Sequence, residues 1–241
     1  MTIKTKITNK NLYGNSFYVN RDNDTKYAAN RILSIVYEEF KGLDKVIDIG
    51  CGVGTFLKYA KKNGAKEIIG LDGDWVGLDK LVIPVSNFQS VDLISPPLIE
   101  KTYDLAISLE VAEHLPEKNA PEFVQWLCSL APVIVFSAAI PKQGGRGHQN
   151  ERWPSYWADL FKNYKFYPID IIRPKIWNDE KIYFWYRQNI LIYIKNTKYH
   201  SMKKSNILLD IVHPELYLSK TLKKKSFFNK IYQNFKRDNS S

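Results

Sequence analysis

Short apolar runs bounded by glycine, proline and charge recur along most of the chain, separated by stretches whose apolar residues return every three or four positions. That alternation predicts buried strands joined by amphipathic helices. From Thr25 to Phe40, Ala28, Ile32, Ile35, Val36 and Phe40 mark one face of a helix. A β-branched run at Val46 leads through VIDIGCGVGTFL into the helix-compatible TFLKYAKK, which reads as strand, glycine turn and helix. Further strands are predicted at Ile68–Leu71, Phe88–Leu93, Tyr103–Val111 and Pro132–Ala138, with a helix over Pro116–Leu130. The segment PVIVFSA is continuously apolar, as expected of a strand covered on both faces. A loop, PKQGGRGHQNERWPSYW, should precede a short helix at Ser155–Asn163. Two last strands, Phe166–Ile172 and Asn189–Ile194, flank a turn-bearing insert and should pair as a hairpin. No internal repeat is present.

The first turn carries the most specific signal. Asp48 is followed by glycines at 50, 52 and 54, a D-x-G-x-G-x-G spacing. Glycine tolerates positive φ and lets a ligand approach the backbone, and amides at the next helix N-terminus face whatever is bound. The spacing differs from the G-x-G-x-x-G pyrophosphate turn of dinucleotide-binding domains. An acid at the strand end suits a ligand with an amino-acid end better than a pyrophosphate. Asp72, which ends KEIIGLD, stands about 20 residues on, where doubly wound folds place a ribose-binding carboxylate. YDLAISLEV then reads as a buried strand running into AEHLPE.

Together these segments resemble the class I S-adenosylmethionine (SAM)-dependent methyltransferases, over roughly Lys45 to Lys195. The resemblance implies an α/β, Rossmann-like sheet of seven strands in the order 3-2-1-4-5-7-6, the last antiparallel, with helices on both faces. It implies SAM as cofactor and S-adenosylhomocysteine as product. The cofactor residues would be Asp48, Gly50, Cys51, Gly52, Gly54, Asp72, Gly73, Asp92, Leu109 and Glu110. Asp92 would hold the adenine amino group or stand as a solvated loop aspartate. The helix before the first strand would cover the pocket, with Tyr18, Arg21 or Tyr27 either reaching the methionine end or serving as core and cap. The chain divides on this reading into an N-terminal segment (1–24), a methyltransferase domain (25–197) and a basic C-terminal extension (198–241).

At 241 residues and 44% hydrophobic, the chain can bury one substantial core. No apolar run is long enough to span a bilayer, and MTIKTKITNKN lacks the apolar core of a signal peptide, so a cytoplasmic protein is expected. Cys51 and Cys128 are too few for a disulfide framework and are expected as reduced thiols. Of the net charge of +10, about +6 lies from Ser201 onward, where nine basic residues face three acids. Leu218–Arg237 sets Leu222, Phe227, Phe228, Ile231 and Phe235 among these lysines. Such a helix could rest peripherally on an anionic inner membrane, pack on a partner or remain solvated.

Methyl transfer from a sulfonium is an in-line displacement, and a base is needed only for a weak nucleophile such as an alcohol. Candidates are Glu110, Glu113, His114, His148 and Glu151. If a helical turn leaves the fourth strand, positions 110, 113 and 114 share a face. His148 comes to the same sheet edge from the loop after the fifth strand. Glu110, Glu113, His114 and His148 would then form an octahedral site for a divalent cation such as Mg that also binds acceptor hydroxyls. The ExxEH pattern with a later histidine is similar to that of small-RNA 2′-O-methyltransferases and ubiquinone-pathway O-methyltransferases. Metal-free relatives carry EHL there only to close the pocket. Without metal, His148 is the first choice of general base, with a loop-packing role as the alternative.

Aromatic residues crowd the second half, interspersed with Arg146, Arg152, Arg173 and Arg187. Some rings belong to the core, but rings with guanidinium groups also suit a sugar carrying an anionic group. GGRGHQNERWPSYW, RPKIW, WYRQNILIY and VHPELYL resemble methyltransferases of bacterial capsule and lipopolysaccharide gene clusters. That resemblance implies O-methylation of a surface-glycan sugar or of its phosphate or phosphoramidate decoration. The competing functions are a metal-dependent RNA 2′-O-methyltransferase, against which no RNA-binding module is recognisable, and a catalytically inactive SAM-binding assembly partner.

Overall fold

The computed structural model describes residues 21–195 and 207–222. Residues up to Asp210 belong to one compact unit; those from Ile211 belong to a second, whose described part carries a helix over 214–222. Tyr18, the side chain of Arg21 and most of the basic, amphipathic Leu218–Arg237 stretch lie outside the described residues.

Helix α1 (Arg21–Glu39) precedes strand β1 (Lys45–Ile49), helix α2 (Thr55–Lys62), strand β2 (Glu67–Asp72) and strand β3 (Phe88–Ser90). Strand β4 (Leu105–Leu109), helix α3 (Ala120–Leu130), strand β5 (Val133–Ser137) and helix α4 (Pro154–Lys162) follow. The chain continues through strand β6 (Phe166–Ile169), the short helices α5 (Arg173–Ile176) and α6 (Phe184–Asn189), and strand β7 (Leu191–Lys195). The sheet order is β3-β2-β1-β4-β5-β7-β6. All pairs are parallel except those of β7, which runs antiparallel to β5 and β6. This is the order expected from the sequence.

The period of two along each strand sorts the core into two layers. Val46, Leu105, Ile107, Val133, Val135, Ile192 and Ile194 share one apolar cluster with residues of α1 and α2. Ile47, Ile49, Ala106, Ile134, Phe136 and Tyr193 share the other with α3 and α4. The sheet is therefore covered on both faces, as its unbroken apolar strands require. Its parallel strands all end at one edge, which is where open α/β sheets bind ligands.

Several boundaries differ from expectation for local reasons. Strand β3 stops at Ser90, not Leu93, because the Asp92 carboxylate accepts the Ile94 amide at 2.9 Å and closes a turn. The helix expected over Pro116–Leu130 is split into a 3-10 turn, Glu117–Asn119, and α3, with Pro121 in the first turn of α3. β6 and β7 pair as expected but are not joined by a simple hairpin turn, since the insert between them folds as α5 and α6.

At the β5–β7 end of the core, Phe161 stacks on Tyr193 with ring centroids 3.9 Å apart, and Phe136 meets Phe161 edge-on at 5.3 Å. Phe161 is fully buried, so truncation leaves a cavity that the close-packed rings cannot fill. Phe161→Ala should lower stability by about 3–5 kcal/mol, measured as a shift of the urea midpoint followed by circular dichroism.

Candidate active site

The turn after β1 is built around the end of β2. The Leu71 carbonyl accepts the amides of Gly50 (2.7 Å) and Cys51 (3.1 Å), and Asp72 Oδ2 accepts the Gly52 amide at 2.7 Å. Asp72 Oδ1 accepts the Gly73 amide at 2.6 Å, and the Trp75 side chain adds a further hydrogen bond to this carboxylate. Gly50 adopts φ +75°, and a Cβ there would lie 2.3 Å from Val111 Cγ2. Glycine is therefore obligatory at this position, both sterically and conformationally.

Asp48 and Asp72 are both buried. Desolvation, then the Asp72 charge, pushes Asp48 well above the usual carboxylate range. Desolvation also raises Asp72, against the lowering effect of the Gly52 and Gly73 amides and of Trp75. Positive charge or hydrogen-bond donors brought to this edge would relieve both carboxylates. A cavity of about 380 Å³ opens here. Asp48, Gly50, Cys51, Gly52 and Asp72 line it, as do Asp92, Leu109 and Glu110. Gly54 and Gly73 do not. Gly54 starts α2 with its α-carbon closed off by Ile83, and Gly73 is covered by the Trp75 ring. Tyr27 points elsewhere, donating to Asp179 at 2.9 Å, and Thr25 lines the cavity in its place.

The other end of the cavity is formed by the turn after β4 and the loop after β5. Glu110 does not share a helical face with Glu113 and His114. It adopts φ 56°, and the following turn, Ala112–His114, is a 3-10 helix that begins after it. Its carboxylate is held by Asn189 Nδ2 at 3.0 Å and Gln143 Nε2 at 3.1 Å. Gln188 and Asn189 reach Gln143 Oε1 as well, at 3.2 and 3.0 Å, so three buried carboxamides orient this one acid.

Glu113, His114 and His148 do come together: one donor atom from each lies within 4.8 Å of the others. The His114 and His148 rings meet edge to face at 4.9 Å, and His148 Nε2 lies 4.0 Å from Glu113 Oε1. Glu113 is fully buried, and neither carboxylate oxygen meets a donor at full hydrogen-bond geometry. Burial, then the neighbouring Glu110 charge, pushes Glu113 well above the ordinary range, which nearby amides offset in part. Burial pushes the His114 imidazole down to about 4. Of the four residues expected to hold a metal, these three bring donor atoms together in this way and Glu110 does not, its carboxylate being held by the Asn189 and Gln143 amides.

The loop carrying His148 is tied down from both sides. The Glu113 carbonyl accepts the amides of Gln149 (2.8 Å) and Asn150 (3.0 Å). The His148 ring lies against the backbone of Gly145, where a Cβ would fall 2.2 Å from Nε2. Of the arginines considered from sequence, only Arg146 lines the cavity. Arg173 is buried and holds Asp170 at 2.9 Å together with the Leu208 and Leu209 carbonyls. Arg187 is buried on the Trp177 carbonyl, and Arg152 pairs with Glu117. These three are structural. Sequence reasoning missed Gln143 and Asn189 as partners of Glu110, since a pair 79 positions apart leaves no local spacing to read.

The steric argument at the glycine turn can be tested directly. Gly50→Ala forces both a left-handed alanine and an overlap with Val111, and should destabilise the protein by roughly 2–4 kcal/mol. Thermal and urea unfolding read this outcome, and a wild-type midpoint would show that the turn can move.

The geometry agrees with comparison to known proteins. The methyltransferase domain family matches residues 20–173, more than half of the chain. Tocopherol O-methyltransferase of Arabidopsis thaliana is 32% identical over 103 residues, covering 39% of this chain and 29% of that protein. The probable tocopherol O-methyltransferase of Oryza sativa subsp. japonica is 27% identical over 94 residues, 36% of this chain and 25% of its own. This chain therefore spans under a third of the length of the curated relatives it matches. Among solved structures, magnesium protoporphyrin IX methyltransferase from Synechocystis, crystallised with S-adenosylhomocysteine, superposes with TM-score 0.50 at 20% identity, covering 77% of this chain and 92% of that one. A chain from the complex between the Haloferax volcanii Trm112 methyltransferase activator and its methyltransferase gives TM-score 0.54 at 13% identity, covering 78% and 97%. With the sheet order, the glycine turn and its two acids already in place, the chain belongs to the methyltransferase domain family and has the class I SAM-dependent methyltransferase fold.

Proposed function

We propose that the protein is a SAM-dependent O-methyltransferase acting on a hydroxyl of an anionic sugar, or on its phosphoryl-type decoration, in bacterial surface polysaccharide biosynthesis. The observation that carries the reading is a single cavity with Asp48 and Asp72 at the glycine turn and Glu113, His114, His148 and Arg146 on the remaining wall. Asp48 would face the amino-acid end of SAM and Asp72 the ribose hydroxyls. Buried carboxylates favour a cationic sulfonium over its neutral thioether product, which helps release the product. Arg146 supplies a guanidinium to an acceptor phosphate or similar anion.

The residues fit a divalent cation, because the Glu113 oxygens are buried without full hydrogen-bond partners and two imidazoles face them. Glu113, His114 and His148 would hold it, and it would supply Lewis acidity toward an acceptor hydroxyl. One carboxylate with two imidazoles suits Mn, Fe or Zn better than the oxygen-rich shell that Mg prefers. A second reading, His148 as general base without metal, is favoured by the contact of His148 Nδ1 with Glu151 Oε1 at 2.9 Å, which leaves Nε2 on the side of Glu113, 4.0 Å from its Oε1.

Transfer of labelled methyl from SAM to nucleotide sugars, sugar phosphates, capsule fragments and short RNA, with and without chelator, tests both readings. Loss of sugar transfer on chelation, with recovery on adding Mn, is the expected result. Transfer indifferent to chelator but abolished in His148→Ala would establish the base, and label confined to RNA would refute the acceptor class. Asp72→Asn should weaken SAM binding by about 1.5–3 kcal/mol as a charge-assisted acceptor is lost, read by titration calorimetry. An unchanged dissociation constant would remove Asp72 from the cofactor site.

A further inference from the structure

We propose that Glu151 is a positioning residue, built into the loop after β5 to hold His148 as the Nδ1–H tautomer with a bare Nε2 on the side of Glu113. This rests on the proposed role of His148 and serves either form of it, since both a metal ligand and a general base need that Nε2 lone pair.

Glu151 is the hub of its loop. Its Oε2 accepts the Lys142 amide at 2.7 Å, its Oε1 accepts the Gly144 amide at 2.7 Å, and Oε1 also lies 2.9 Å from His148 Nδ1. Lys142 and Gly144 are in the left-handed region, at φ 68° and φ 71°. A lysine in that conformation costs about 1 kcal/mol, so the loop takes up strain to bring two amides onto one side chain. Both oxygens of Glu151 thus act as acceptors toward backbone N–H groups. The third contact must then come from a donor, which places the imidazole proton on Nδ1. Nε2 lies 4.0 Å from Glu113 Oε1 and beside the His114 ring, and in the neutral Nδ1–H tautomer it carries the lone pair. Gly145 leaves the space in which the imidazole lies. The chain thus supplies an anchored carboxylate, a fixed ring plane and a defined tautomer, the arrangement by which outer-shell carboxylates orient ligating histidines.

The test uses the full chain, labelled with 15N-histidine, and reads the His148 tautomer by long-range 1H–15N correlation near neutral pH, with Mn2+ affinity and SAM affinity measured alongside. The wild type should show Nδ1–H. Glu151→Ala should lose that preference and weaken Mn2+ binding about 10- to 100-fold, with SAM affinity unchanged. Gln149→Ala is the control for simple loop loosening, because it removes the Gln149 Nε2 bond to the His114 carbonyl without touching His148; it should leave the tautomer and Mn2+ affinity as they are. A wild-type Nε2–H tautomer overturns the assignment, as does a wild-type tautomer in Glu151→Ala. Equal changes in Gln149→Ala, or loss of SAM binding in Glu151→Ala, would make Glu151 a loop strut and also overturn it. The tautomer readout needs neither acceptor nor metal, so absent methyl transfer or absent Mn2+ binding by the wild type would count against the proposed function alone.

Discussion

The site depends on the hydrogen bonds that sew the glycine turn to the end of β2. Leu71 and Asp72 accept the amides of Gly50, Cys51 and Gly52 within two consecutive residues. Those bonds hold the turn open toward the cavity rather than letting it collapse over the sheet edge. Parallel pairing makes this possible, because β1 and β2 end together: Asp48 is in register with Gly70, and Asp72 lies just beyond. The absence of a side chain at Gly70 has its own purpose, since a Cβ there would fall 2.6 Å from Cys51 Sγ.

Five acids line the same cavity, and the four buried against its walls, Asp48, Asp72, Glu110 and Glu113, are each treated differently. Asp72 has amides, Glu110 has carboxamides, Asp48 has little beyond burial beside Asp72, and Glu113 has no full hydrogen bond to either oxygen. Leaving a buried carboxylate unsatisfied costs one to several kcal/mol, and Asp48 and Glu113 are the two least compensated. On the proposed reading, Asp48 meets the cationic cofactor and Glu113 a metal ion. The paired imidazoles belong to this logic: burial keeps His114 neutral at physiological pH, ready to offer a lone pair.

The arginines show how residue type alone misleads. Four guanidinium groups amid aromatic rings suggest an anion clamp, yet Arg173 and Arg187 are spent on backbone carbonyls and Arg152 on Glu117. The forked donor geometry that suits phosphate suits chain ends and helix termini equally. Likewise Trp157, Tyr193 and Phe161 are core rings, whereas Trp185 lines the cavity.

Much of the architecture was legible in the sequence because its causes are local. The short apolar runs at Val46–Ile49 and Val133–Ser137, the glycines at 50, 52 and 54 and the acids at 48 and 72 each follow from a short-range requirement of strand, turn or strand end. The convergence of Glu113, His114 and His148 was also legible, since the 3-10 turn and the β5 loop leave the same sheet edge. What the tertiary structure alone decided is how side chains separated by long stretches are used. Glu110 looked like a fourth ligand until Asn189 and Gln143 claimed it from another helix and another loop. Glu151 looked like one more candidate base until its contacts to Lys142, Gly144 and His148 made it a support. A sequence lists donors and acceptors, but which of them meet depends on the closure of the whole chain, and a carboxylate's role is set by the partners that closure brings to it.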